Sequence, residues 1–294
     1  MPVGNMPEAE VEVTVDVVRR LLERQRPDIA GHEVVPLAFG WDNVSFRIGT
    51  DLVARLPRRA IAVGLLRNEA RWLPGLAAGL SLPIPAPVFV GEPGAGYPWP
   101  WSLVPFIPGE PAATTVGLDQ ERCARQLGEF LAALHQPAPR DAPANPYRGI
   151  PLTGRDAGVR ERLEALADLV DRPRLESLWD QAMSAPPFTG SAPWIHGDLH
   201  PLNLLVVEGS LSGVIDFGDL TAGDPATDLA VGWMLFDSAH RARFRSSYGG
   251  GDHATWARAR GWALSLGLAY LAHSADNPAM SETGSRTLAE VASG

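Results

Sequence analysis

The sequence predicts an α+β chain with a β-rich N-terminal lobe and a mainly helical C-terminal lobe. Its 294 residues exceed the roughly 150 of a single average domain. Before the break Pro108-Gly109-Glu110-Pro111, short apolar stretches alternate with turns rich in Gly, Asn and Asp. After it, apolar residues recur at helical spacing over most of the chain. The expected domains are therefore 1–107 and 108–294.

Taken in order, apolar residues at 15, 17, 18, 21 and 22 predict a helix over 15–26, ended before Pro27. Strands follow at 33–39, 44–48 and 51–56, joined by Gly40-Trp41-Asp42-Asn43 and Gly49-Thr50-Asp51, which read as hairpin turns. A helix is expected over 60–73, a stiff proline connector over 83–87, and strands at 88–90 and 99–107. Downstream, helices are expected at 118–135, 156–170, 174–183, 225–235 and 255–273, with a loop over 137–151.

Composition narrows the function. Hydrophobic residues make up 45% of the chain, enough to exclude a disordered segment. The only cysteine, Cys123, excludes an internal disulfide framework and fits a reducing compartment. All 25 basic residues are Arg, so no mechanism that needs a lysine is available, Schiff-base chemistry included. The net charge of -9 argues against nucleic acid as a partner and favours cationic small molecules weakly. No run approaches the roughly 20 apolar residues of a membrane helix. The segment 1–13 is acidic and Pro-bearing, unlike a signal peptide, so a cytoplasmic protein is expected. The oligomeric state stays open.

The chemistry concentrates in Trp194-Ile195-His196-Gly197-Asp198-Leu199-His200-Pro201-Leu202-Asn203 and Gly213-Val214-Ile215-Asp216-Phe217-Gly218-Asp219. Apolar residues bracket each polar core, which predicts a loop, a hairpin and a second loop bringing Asp198, Asn203 and Asp216 together. Two carboxylates and a carboxamide in one place suit Mg²⁺ and phosphate, since Mg²⁺ takes oxygen ligands and shares its shell with substrate phosphates. A carboxylate outside that shell can take the proton of an attacking hydroxyl.

These residues resemble the aminoglycoside phosphotransferase and small-molecule kinase family, a branch of the protein-kinase-like fold. The separations of five residues from Asp198 to Asn203 and thirteen from Asn203 to Asp216 match its catalytic and metal loops. Gly223-Asp224-Pro225-Ala226-Thr227-Asp228 resembles the branch's continuation, and the likeness runs from about 37 into the C-terminal helices. The resemblance implies a two-lobed fold, Mg²⁺, and ATP or GTP as phosphoryl donor. It implies Asp198 as catalytic base or hydroxyl-orienting group and Asn203 and Asp216 as metal ligands. Asp228 is expected to anchor the catalytic loop, and His196 to hold it by hydrogen bonds. His200 can reach a phosphate or serve the structure alone.

On the nucleotide side the resemblance implies phosphate contact at Gly40, Asn43 and Ser45, although the chain has no Gly-x-Gly-x-x-Gly. Arg55 stands where kinases carry Lys, with Glu69 as its ion-pair partner; the bulkier planar fork puts nucleotide affinity in question. A solvated Arg on an edge strand is the plainer alternative. Pro105 and Ile107 would form the hinge, Pro105 offering only its carbonyl. The acceptor wall is expected from Asp219, Trp233 and Asp237, with Trp256, Arg260 and Trp262; an aromatic and acidic wall suits an amine. Asp224 reads as a helix-start residue, and the acidic series Glu161, Glu164, Asp168 and Asp171 as a solvated helix face. The implied activity is phosphoryl transfer to a small-molecule hydroxyl, with an aminoglycoside-like antibiotic, and hence resistance, as family default. The alternatives are a metabolic kinase (sugar, choline-like amine, macrolide) and an inactive nucleotide-binding regulator.

Overall fold

The computed structural model describes residues 7–293. The first six residues of the expected N-terminal domain, which open the segment 1–13 read above, and Gly294 lie outside the described residues. The described residues fold as two compact units, one of residues 7–79 with 83–107 and one of residues 80–82 with 108–293.

The first unit opens with α1 (Val15–Gln25), capped by the Thr14 side chain on the Val17 N–H. Strands β1 (Val34–Phe39), β2 (Asn43–Ile48) and β3 (Leu52–Pro57) precede α2 (Ala62–Ala77), β4 (Phe89–Gly91) and β5 (Trp101–Pro105). They form one antiparallel sheet in the order β1-β2-β3-β5-β4. Val18, Leu21 and Leu22 of α1 pack into a core with Phe46, Ile48, Leu56, Trp101 and Leu103. Gly91 pairs in register with Trp101, where a Cβ would lie 2.2 Å from the indole; only glycine leaves room for that ring. Pro36 is accommodated because β1 is an edge strand and its pairing shifts register between Pro36 and Ala38.

The second unit begins with β6 (Glu110–Pro111), α3 (Gln120–Leu134), α4 (Asp156–Ala165), α5 (Arg172–Met183) and β7 (Trp194–Ile195). The hairpin β8 (Leu204–Val207) and β9 (Ser210–Val214) pairs with β6, and β10 (Thr221–Ala222) pairs with β7. Helices α6 (Ala226–Leu229), α7 (Val231–Leu235), α8 (Ser238–Tyr248), α9 (His253–His273) and α10 (Pro278–Ser293) complete it. The 21-residue α9 is buried almost all round and packs on α4, α5, α6, α7 and α10; α3 packs on α8. No helix among the described residues is long and apolar enough to cross a membrane.

Several expected boundaries move. The helix expected over 60–73 runs through Pro74 to Ala77, because the ring sits in the last turn, where little helix remains to break. The helix expected over 156–170 stops at Ala165, so Asp168 and Asp171 leave it, and Asp171 instead caps α5 through the Arg174 N–H. The strand expected over 99–107 contracts to Trp101–Pro105, starting after Pro100 and ending on Pro105. The helix expected over 225–235 divides at Ala230 into α6 and α7.

Candidate active site

The stretch after β7 is held from below by Asp228 of α6. This fully buried carboxylate accepts the His196 N–H at 2.7 Å and the Gly197 N–H at 2.9 Å, and bonds His135 Nε2 at 3.2 Å. His135 Nδ1 in turn meets the Tyr248 hydroxyl at 3.0 Å. Burial alone would raise the Asp228 pKa, but His135, His196 and the backbone donors outweigh it and hold the carboxyl below its ordinary range. Gly197 has φ +88°, and a Cβ there would meet the Asp219 carbonyl at 2.4 Å, so glycine alone fits.

His196 ties the two loops together. Its Nδ1 accepts the Asp198 N–H at 3.2 Å, which leaves Nε2 to donate to the Ile215 carbonyl at 2.9 Å. The β8–β9 pairing of Leu204 with Val214 sets Asn203 beside Ile215, whose N–H donates to the Asn203 carbonyl at 2.9 Å. The Asn203 amide donates to the Asp198 carbonyl at 3.0 Å, and its Oδ1 takes no hydrogen bond from a described residue. Asp216 follows in the left-handed region at φ 66°, uncommon for a residue with a side chain. Asp198, Asn203 and Asp216 thus lie on one hydrogen-bonded framework.

Asp198 is not free. The Arg148 guanidinium reaches it at 2.5 Å, and through Nε also bonds Asp219 at 3.1 Å; His200 Nε2 stands 3.5 Å from Asp198 on its other oxygen. Burial works against the Asp198 charge, yet Arg148 and His200 hold the carboxyl well below the usual carboxylate range. Asn145 sets this arginine: its Oδ1 accepts the Tyr147 and Arg148 N–H groups while its Nδ2 donates to Asp219 at 2.7 Å.

In the first unit, Arg55 and Glu69 form a nearly dry ion pair at 2.6 Å. Arg55 lies on β3, at the centre of the sheet, so the solvated edge-strand alternative is excluded. Gly40 and Asn43 close the β1–β2 turn through a Gly40 N–H to Asn43 carbonyl bond of 2.9 Å. Ser45 pairs in register with Arg55. Pro105 ends β5 opposite Leu52, and Ile107 is buried beyond it.

A model of the phosphotransferase enzyme family matches residues 33–262. The chain belongs to this family. An aminoglycoside 3'-phosphotransferase of Escherichia coli is 28% identical over 158 residues, which cover 51% of this chain and 58% of that protein. A viomycin phosphotransferase of Streptomyces vinaceus is 31% identical over 197 residues, covering 59% and 66%. These matches thus span under two thirds of either relative's length. The solved GDP complex of wild-type aminoglycoside 2'-phosphotransferase-IIIa shares the fold, with TM-score 0.66 and 22% identity over 96% of this chain and 99% of that one.

In this member of the family the residues expected to form the acceptor wall have the following partners. Asp219 is committed to Arg148 and Asn145. Asp237 caps α8 through the His240 N–H and bonds its ring. Trp233 is buried beside Trp256 and stacked on the Arg241 guanidinium, and Arg260 binds the Val291 carbonyl. Asp224 is more than a helix start: it pairs with the buried Arg258 at 2.6 Å as well as accepting the Ala226 N–H. Sequence reasoning missed Arg148, Asn145 and His135. The one arginine in Asn145-Pro146-Tyr147-Arg148-Gly149, inside a loop of Pro and Ala, was the available signal.

Proposed function

We propose that the chain is a Mg²⁺-dependent phosphotransferase that moves the γ-phosphate of ATP or GTP to a hydroxyl of a small molecule. The observation that carries this reading is the framework joining Asp198, Asn203 and Asp216. Asp198, kept ionised, orients the acceptor hydroxyl and takes its proton as the new O–P bond forms and the bond to the nucleotide's bridging oxygen breaks. The Asn203 Oδ1 and the Asp216 carboxylate, hard oxygen donors with no hydrogen bond from a described residue, suit Mg²⁺. When bound, Mg²⁺ neutralises charge on the phosphates.

Arg55, oriented by Glu69, serves the nucleotide phosphates; Gly40, Asn43 and Ser45 supply the covering turn, and Pro105 and Ile107 the base contacts. The intact Arg55–Glu69 pair weighs against an inactive regulator. The relatives' names make aminoglycosides and viomycin the first acceptors to test, with antibiotic resistance as the phenotype. The buried free thiol of Cys123 accords with cytoplasmic residence.

The test is acceptor-stimulated nucleotide consumption with Mg²⁺, ATP and GTP run separately. Asp198→Ala should lower turnover by roughly 10²-fold or more with nucleotide affinity nearly unchanged. Asp216→Ala should abolish the Mg²⁺ dependence of nucleotide affinity. Full turnover in the first variant, or unchanged Mg²⁺ dependence in the second, rejects the assignment.

A further inference from the structure

The surroundings of Asp198 carry information about the acceptor's charge. Of the carboxylates around it, Asp198 and Asp219 are matched by Arg148, Asp219 also by Asn145, and Asp216 is left to the metal in the reading above. The cations are not all matched. Arg155, half-buried just before α4, pairs with no carboxylate among the described residues. Its Nε donates to Ser265 Oγ at 3.4 Å, and its guanidinium lies 5.6 Å from the centre of the Trp262 ring. Burial, with Arg148 and Arg162 adding like charge, pushes this guanidinium below the ordinary arginine value, so a counter-anion would relieve it.

Unmatched donors stand on α9 facing the same region. The Tyr270 hydroxyl and the Trp262 indole N–H are buried without a hydrogen-bond partner, an arrangement that costs free energy for each group. The Tyr270 ring meets His200 edge-on at 5.8 Å, and His200 touches Asp198. Tyr270 therefore leads through His200 to Asp198, and Arg155 and Trp262 add a cation and a second hydrogen-bond donor, with no carboxylate among the three. An ammonium group would find no carboxylate among Arg155, Trp262 and Tyr270. Resting on the phosphotransferase reading, we propose that Arg155 and Tyr270 bind the acceptor by an anionic group, so that the preferred acceptor is a hydroxy-carboxylate and not a polycation. Arg and carboxylate match in shape as well as charge, since the planar fork meets both oxygens at once.

The test uses three six-carbon polyols that differ only in the terminal group: gluconate, gluconamide and glucamine. Their affinities for the full chain are measured by calorimetry. Gluconate should bind at least tenfold tighter than the other two. Arg155→Gln should erase that preference, Arg155→Lys should keep part of it, and Tyr270→Phe should weaken gluconate a few-fold. Equal affinities, undetectable gluconate binding, a preference for glucamine, or a preference that survives Arg155→Gln overturns the inference. The comparison in the native chain needs no variant to fold. Turnover separates the two levels. A carboxylate preference without phosphoryl transfer to any acceptor would reject the phosphotransferase reading and leave the anion site standing. Phosphorylation of an aminoglycoside together with a preference for glucamine would keep that reading and reject the anion site.

Discussion

Asp228 contacts no proposed metal ligand, yet the Asp198 loop depends on it. Two backbone N–H groups and His135 converge on its carboxylate, and replacing an oxygen by NH₂ turns one acceptor into a donor facing donors. Asp228→Asn should cost about 3–5 kcal/mol, as losing one partner of a buried charged pair does. The pH dependence has a fixed sign. The unfolded carboxyl titrates near ~3.9 and the folded one lower, so its contribution is complete above the unfolded value and is lost as pH falls through the folded one. Thermal melts of the native chain and the Asp228→Asn variant should differ most at neutral pH and converge in acid. Equal melting temperatures at pH 7 would remove Asp228 from its anchoring role.

At the scale of elements, the parts legible in the sequence were those with a local signature. Thr14, Asp119, Asp171 and Asp252 all cap helices through side chains, and α1, α3, α5 and α9 were all expected near where they lie. The β8–β9 hairpin was legible because apolar runs flank it, and Asn203 and Asp216 because their spacing depends on it. What stayed hidden has no such pattern. Helix α8 carries arginines and a histidine among small residues and buries only Arg241 and Phe244. Arg148 was hidden because the contact that defines it crosses 50 residues of sequence. Pro74 is the opposite case, a clear local signal that packing overrides. It is exposed, and its ring withholds the N–H that would bond the Ala70 carbonyl. Pro74→Ala should therefore stabilise the chain by roughly 1–3 kcal/mol, read as a raised unfolding midpoint in urea. A lowered midpoint would mean that the proline sets how α2 meets the connector after it.

At the scale of the molecule, the absence of lysine shows in how the second unit is closed. Helix α10, unexpected from its sequence of small residues, is fastened by arginines from three other helices. Arg174 of α5 donates to the Ala292 carbonyl, Arg260 of α9 to the Val291 carbonyl, and Arg241 of α8 pairs with Glu290 at 3.1 Å. In return, Arg286 of α10 donates to the Leu235 carbonyl at 2.7 Å. A guanidinium suits these places because it offers several donors in fixed directions. Beneath them the helices come close, with Gly284 so near α9 that a Cβ there would meet the Leu271 nitrogen at 2.7 Å. Thr287, Leu288 and Val291 are buried against that surface. Ending the chain at Asn277 would remove Leu288 and Val291, at about 1.5–3 kcal/mol each, and expose the apolar face of α9 they cover. Together these losses are comparable with the whole margin of roughly 5–15 kcal/mol of a typical domain. The truncated chain should lose its cooperative thermal transition by near-ultraviolet circular dichroism, where the tryptophans of α5, α7 and α9 report on packing. A sharp, native-like transition would show that α9 holds its neighbours without the arginine clasp.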